Sequence, residues 1–208
     1  MNSATRLIAL FSLFLVVSHI HAATRYVEKW GDDANPCSKS APCLTLSHVL
    51  GLASARDRIV VGPGEYEENG LEITQSGLKL ESTAGRHATT IRSIDGDHAL
   101  QVTAEKVHIG KKGKGFTFVG GTDNGEAGLY INVAEEFPGI RVEGNRFGLS
   151  RRAADNSGSG HENYHGMYVV DGGGKIQIRH NLFVNNNERG LYCPDCPRAL
   201  IRDNRAEG

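Results

Sequence analysis

Along much of the chain the apolar residues recur at every second position. Ile140 and Val142 flank Arg141, and Ile176 and Ile178 flank Gln177. That period places the aliphatic side chains on one face of an extended segment and the polar ones on the other. Such segments are short and bounded by Gly and Asn, which predicts brief strands joined by tight corners.

The strands belong to a repeat. Four segments open with a small residue followed by a large apolar one: Ala99-Leu100-Gln101-Val102, Gly128-Leu129-Tyr130-Ile131, Gly166-Met167-Tyr168-Val169 and Gly190-Leu191-Tyr192-Cys193. After the last three comes a second phrase, in Ile140-Arg141-Val142-Glu143-Gly144-Asn145-Arg146-Phe147, in Ile176-Gln177-Ile178-Arg179-His180-Asn181-Leu182-Phe183, and more weakly in Ala199-Leu200-Ile201-Arg202-Asp203-Asn204-Arg205-Ala206. The spacing of the glycines and that of the asparagines change together, as one structural unit of roughly twenty residues with insertions requires. A unit this small cannot bury its own apolar face, so copies must stack. Each coil then reads as strand one at the Gly-aliphatic-Tyr phrase, strand two at Ile-x-Ile, an Asn corner, and strand three at the Phe. Asn is expected at the corner because it tolerates the left-handed backbone conformation.

Helical spacing appears once, at Leu46, Val49, Leu50 and Ala53, and predicts a short amphipathic helix over Thr45 to Ala55 with Thr45 or Ser47 as its N-cap. Residues 23–57, containing this helix, are expected to cap the first coil, and residues 58–208 to form the coils. Arg58 to Val61 reads as a strand and Gly62-Pro63-Gly64-Glu65-Tyr66 as a turn.

The run Arg56-Asp57-Arg58-Ile59-Val60-Val61-Gly62-Pro63-Gly64-Glu65-Tyr66-Glu67-Glu68 resembles the opening coil of the right-handed parallel β-helix, pectin-lyase-like superfamily. There a capping helix precedes a phrase of the form GD-x-I-x-V-x-PG-x-Y-x-E; here Arg56 stands where that phrase usually has Gly. The resemblance covers Tyr26 to Gly208 and implies an all-β, right-handed parallel β-helix with three strands per coil. It leaves activity open, because the superfamily holds polysaccharide lyases, hydrolases, epimerases and esterases beside non-catalytic surface proteins. The hydrolase Gly-His-Gly and Arg-Ile-Lys motifs are absent, Tyr164-His165-Gly166 being the nearest match. The pectate lyase and esterase motifs are absent as well.

Composition narrows the function classes. The 208 residues carry 23 Lys and Arg against 24 Asp and Glu, a net charge of −1, so no basic excess exists to neutralise a nucleic-acid backbone. Glycine, at 26 residues, is well above the usual share of about 7%; without a G-x-y period it marks frequent corners. Residues 1–22 read as a signal peptide: Arg6, an apolar run from Leu7 to Val17 too short to span a bilayer comfortably, and cleavage after Ala22. Export makes disulfides the expected state of the four cysteines, pairing Cys37 with Cys43 and Cys193 with Cys196. The CxxC spacing of Cys193 and Cys196 also suits a redox motif or half a zinc site. Neither the βαβ setting of the first nor a second ligand pair for the second is present.

Two features suggest a site. With Leu129, Met167 and Leu191 inward, Tyr130, Tyr168 and Tyr192 point outward at the roughly 4.8 Å spacing of adjacent strands. Such a strip suits sugar faces, or serves as an aromatic ladder that supports register. Beside it, the longest insertion carries Arg151, Arg152, Asp155, His161, Glu162 and His165. On an acidic glycan, Arg151 or Arg152 would neutralise a carboxylate and His165 or Lys175 would abstract a proton, with His161 and Asp171 contacting substrate.

Other clusters read as turns. They are Lys111, Lys112 and Lys114, and the oxygen-rich Asp95-Gly96-Asp97 and Asp123-Asn124-Gly125, where calcium is conceivable but no specific motif supports it. No cofactor or resident metal is expected.

The sequence therefore points to a secreted, monomeric β-helix without a membrane span after signal cleavage. It binds polysaccharide, with lyase-like or epimerase-like action as the enzymatic form of that reading. The alternative is a non-catalytic structural or adhesive surface protein. With no second cap after Asn204, the sequence also reads as truncated at the C-terminal end of a longer solenoid.

Overall fold

The computed structural model describes residues 22–121, 125–133, 139–149, 163–171 and 175–207. The chain winds through three sheets. A seven-stranded sheet contains Thr24–Val27, Arg58–Val61, Lys79–Ser82, His108–Ile109, Arg141–Glu143, Gln177–Arg179 and Leu200–Arg202. A six-stranded sheet contains Gly64–Glu67, Thr89–Arg92, Thr117–Val119, Arg146–Phe147, Leu182–Val184 and Arg205–Glu207. A five-stranded sheet contains Glu72–Ile73, Leu100–Val102, Ala127–Asn132, His165–Asp171 and Arg189–Tyr192. From Arg58 onward the chain visits the three in the same cyclic order, and the strand pairings are parallel. This is an all-β parallel β-helix with three strands per coil.

Register explains the period-two pattern. In the seven-stranded sheet Ile59, Leu80, Ile109, Val142 and Ile178 occupy one inward ladder, all at most 1% exposed. In the six-stranded sheet Phe118, Phe147 and Phe183 align, with successive ring centroids 5.4 and 5.1 Å apart and nearly parallel planes. Leu100, Leu129, Met167 and Leu191 form the third ladder. Each fully buried aliphatic or aromatic side chain contributes about 1.5–3 kcal/mol, and stacking spreads that contribution along the axis.

The corners work differently from the sequence expectation. Asn145, Asn181 and Asn204 are not the left-handed residues; the residue before each is, namely Gly144 (φ 73°), His180 (φ 55°) and Asp203 (φ 58°). The asparagines instead turn inward and ladder from coil to coil, Asn145 and Asn181 being at most 1% exposed. The backbone N–H of Asn145 donates to Asn181 Oδ1 at 3.0 Å, and that of Asn181 to Asn204 Oδ1 at 2.9 Å. Their amide nitrogens donate to carbonyls across the corner, Asn145 to Ile109, Asn181 to Val142 and Asn204 to Ile178. The corner entering the seven-stranded sheet uses a second left-handed row of Arg56, Gly77, Lys106 and Gly139, at φ 69°, 77°, 60° and 49°. Arg56, standing where a glycine was expected, thus adopts the glycine-like conformation.

The helix is shorter than its apolar spacing indicated. It spans Leu46–Leu52, with Thr45 as N-cap accepting from the His48 N–H and Ala53 as C-cap. Glu68 extends the cap by accepting the Leu46 and Ser47 N–H groups at 2.7 and 2.8 Å. Leu46, Val49 and Leu50 are its buried face. Gly62-Pro63 makes the following corner, and the strand begins at Gly64, inside the segment read as a turn. Within residues 23–57, Thr24–Val27 is a further strand that pairs with Arg58–Val61 and so lengthens the seven-stranded sheet. Cys37 and Cys43 lie at disulfide distance with Cα atoms 4.6 Å apart, as do Cys193 and Cys196 at 5.8 Å. Among the described residues no helix is long and apolar enough to cross a membrane.

Candidate functional site

The outer face of the five-stranded sheet carries a continuous row. Gln101, Tyr130, Tyr168 and Tyr192 share one register position on four adjacent strands. The opening glycine of each strand has a packing cause. A Cβ on Gly166 would lie 2.5 Å from the Gly190 carbonyl oxygen and 3.0 Å from Asn186 Nδ2. One on Gly190 would lie 2.8 Å from Phe183 Cβ. Gly128, Gly166 and Gly190 therefore let the strands close over the Phe ladder and a second amide pair, in which Asn163 Nδ2 donates to Asn186 Oδ1 at 2.9 Å.

The three phenol rings contact one another along the row. Tyr130 and Tyr168 meet edge to face at 5.4 Å, and Tyr168 and Tyr192 lie 4.8 Å apart at 34°. All three are half-buried, and no protein group hydrogen-bonds their hydroxyls among the described residues. Burial, followed by the nearby Tyr168 and Glu126, pushes the Tyr130 hydroxyl above its ordinary value.

Two histidines join the row, one of which the sequence did not single out. His98 lies flat on Tyr130, ring centroids 4.0 Å apart and planes 10° off parallel. Its Nδ1 accepts the Ala127 N–H at 3.0 Å and sits 2.7 Å from Glu126 Oε2. Burial lowers the His98 pKa and so favours the neutral ring that accepts from Ala127; protonation of Nδ1 would exchange that bond for an ion pair with Glu126. His165 packs against Tyr168 and Tyr192 at 5.6 and 5.0 Å. It is 2% exposed, with Nε2 3.5 Å from Glu188 Oε2 and Nδ1 buried without a hydrogen-bond partner. Burial lowers its pKa, Glu188 opposes that and Arg189 adds to it. Arg189 in turn stacks its guanidinium 4.4 Å from the Tyr192 ring centroid. His98 was detectable only as the residue before Ala99-Leu100, the one repeat copy without a tyrosine.

The remaining described candidates lie apart from one another. His165 opens the strand His165–Asp171, whereas Lys175 is exposed beyond its far end. At about 3.3 Å per residue the strand itself spans roughly 20 Å, so the two stand as separate candidates for the base. Arg151, Arg152, Asp155, His161, Glu162 and Asp123 lie outside the described residues, as does the side chain of Asp171, whose backbone pairs with Asn132. Asp95 is engaged in a local turn, accepting from Ser93 Oγ at 2.6 Å and from the Asp97 N–H at 3.2 Å. Cys37, Cys43 and His48 bring ligand atoms within 4.8 Å of one another. With the two sulfurs joined to each other, that group keeps only the imidazole as a strong donor.

The face is thus a half-buried aromatic strip whose hydroxyls have no hydrogen-bond partner among the described residues, framed by Glu126 and Glu188 on one side. It can stack on apolar ring faces and hydrogen-bond at their rims. No family model matches the chain, and no curated protein matches its sequence.

Proposed function

We propose that this is an exported β-helix of the pectin-lyase-like type that binds a polysaccharide along the outer face of its five-stranded sheet. The observation that carries the reading is the Tyr130, Tyr168 and Tyr192 row, in register on adjacent strands, with no hydrogen bond to its hydroxyls among the described residues. A linear glycan presents alternating C–H faces and hydroxyl rims, which match ring faces and phenol oxygens in turn. Export is supported by the apolar run Leu7 to Val17 and by two cysteine pairs at disulfide distance. The reading is one of binding because the row itself supports contact with a ring face; His165, at the start of the strand His165–Asp171, and Lys175, beyond its far end, stay alternative bases for lyase-like or epimerase-like action.

The test is a panel of neutral, uronic-acid and sulfated polysaccharides, scored for retention of the protein and for absorbance of unsaturated products. Retention on at least one polymer without product formation is expected. Product formation would replace binding by lyase chemistry, and no retention on any polymer would favour a structural or adhesive surface protein.

A further inference from the structure

A second site lies at the corner between the seven- and six-stranded sheets, facing away from the tyrosine row. A groove of about 370 Å³ is lined there by Ala84, Gly85, Arg86, His87, Lys112, Gly113, Gly144 and His180. Its volume falls at the lower end of the roughly 300–1,000 Å³ of small-molecule sites. Arg86, His87, Lys112 and His180 all present basic side chains, and no acidic residue is among the lining.

The backbone builds this corner deliberately. Gly85, Gly113 and Gly144 hold φ of 82°, 78° and 73° and leave the floor without side chains. Cβ atoms on Gly85 and Gly144 would lie 2.9 Å from the Gly113 oxygen and 2.5 Å from the Lys111 oxygen. His180 replaces glycine in the left-handed row one coil on from Gly144, so an imidazole projects where the previous coil has none. Arg86 is fixed by donating Nη1 to the Asn145 and His180 carbonyls, both at 3.3 Å, while its own carbonyl accepts Thr117 Oγ1 at 2.5 Å.

The charges are unbalanced. Arg86 lies close enough to Arg146 to help lower its pKa, after the larger effect of burial and against a smaller opposing one from Glu207. Lys111, the neighbouring cation, is committed to Glu81 at 3.1 Å. Asp203 does not line the groove and stands 3.9 Å from His180 Nε2. Lys112 has no such partner among the described residues. A fixed guanidinium, an ammonium and two imidazoles around a glycine floor form a receptor for a multiply charged oxygen anion.

We infer that this groove binds a tetrahedral oxyanion, sulfate or phosphate, either free or as the ester group of a sugar. The inference stands apart from the polysaccharide reading, since the tyrosine row contributes no residue to it.

Isothermal titration calorimetry at fixed ionic strength on the full chain tests it, with inorganic sulfate, inorganic phosphate, glucose 6-sulfate, glucose 6-phosphate and glucose as probes. At least one anion is expected to bind while glucose does not. The double variant His87→Ala, Lys112→Ala should weaken that binding at least tenfold with an unchanged circular dichroism spectrum, because both side chains are exposed. The variant Tyr130→Ala, Tyr168→Ala, Tyr192→Ala should bind the anion as the parent does. Tighter binding of an ester than of its inorganic ion identifies an esterified ligand; equal binding identifies the free ion. No heat with any of the four anions, or equal affinity in the double variant, would overturn the inference.

Discussion

Asn181 Oδ1 accepts the backbone N–H of Asn145 from the preceding coil at 3.0 Å, while Asn181 Nδ2 donates to the Val142 carbonyl at 3.0 Å. One buried amide thus satisfies two main-chain groups that the corner removes from the sheet ladders. Asn181→Ala leaves both unpaired, at about 1–3 kcal/mol each, so a loss of about 2–6 kcal/mol is expected in urea unfolding. Asn204→Ala, at a half-buried position, should cost less.

Glycine substitutions separate packing from conformation. Gly166→Ala drives a Cβ to 2.5 Å from the Gly190 oxygen and should destabilise by about 1–3 kcal/mol. Gly51→Ala meets nothing within 4 Å and lies in the helix Leu46–Leu52. It should stabilise by about 0.5–1 kcal/mol, read as a higher Tm.

Burial holds His98, His108 and His165 below the ordinary imidazole value of 6.5. The unfolded chain then binds more protons than the folded one between the depressed values and 6.5, so stability rises with pH across that window. Carboxylates lowered by their partners, Asp33, Asp57 and Glu81, lose their contribution only at more acidic pH, as it falls through their folded values. The urea midpoint should therefore be lower at pH 5.5 than at pH 7.5, and His165→Gln should narrow that difference. An identical gap in parent and variant would contradict the assignment of His165.

Asp57 is 1% exposed and accepts the Ala23 N–H at 2.7 Å, the Ser54 N–H at 3.0 Å and Arg25 Nε at 3.1 Å. Burial by itself would raise its pKa; the bonds from Ser54, Ala23 and Arg25 outweigh that and hold it below 3.8. Cleavage after Ala22 would turn the Ala23 N–H into an ammonium ion facing this carboxylate. A chain beginning at Ala23 should unfold at higher urea than one retaining residues 1–22. Asp57→Ala should cost about 3–5 kcal/mol and abolish the difference between the two.

The period of two, the repeated Phe and the outward tyrosines made the coil and its three ladders legible, because each depends on side-chain alternation alone. The asparagine ladder was misread as a backbone effect. Its cause lies in hydrogen bonds between residues more than twenty positions apart, such as Asn181 and Asn204, which local conformational preference cannot reveal. The position of His98 on Tyr130 depends on register between coils, and the basic groove depends on loop 83–88 meeting the turn at Lys112. Lys112 in isolation reads only as part of a solvated turn.

The central claim is that the tyrosine row is a binding surface, and affinity electrophoresis of the parent beside Tyr130→Ala, Tyr168→Ala, Tyr192→Ala tests it most directly. On a gel containing the polymer that retains the parent, the account predicts that the triple variant migrates as it does without polymer, with an unchanged β-sheet circular dichroism spectrum. Equal retardation of both folded proteins would contradict it.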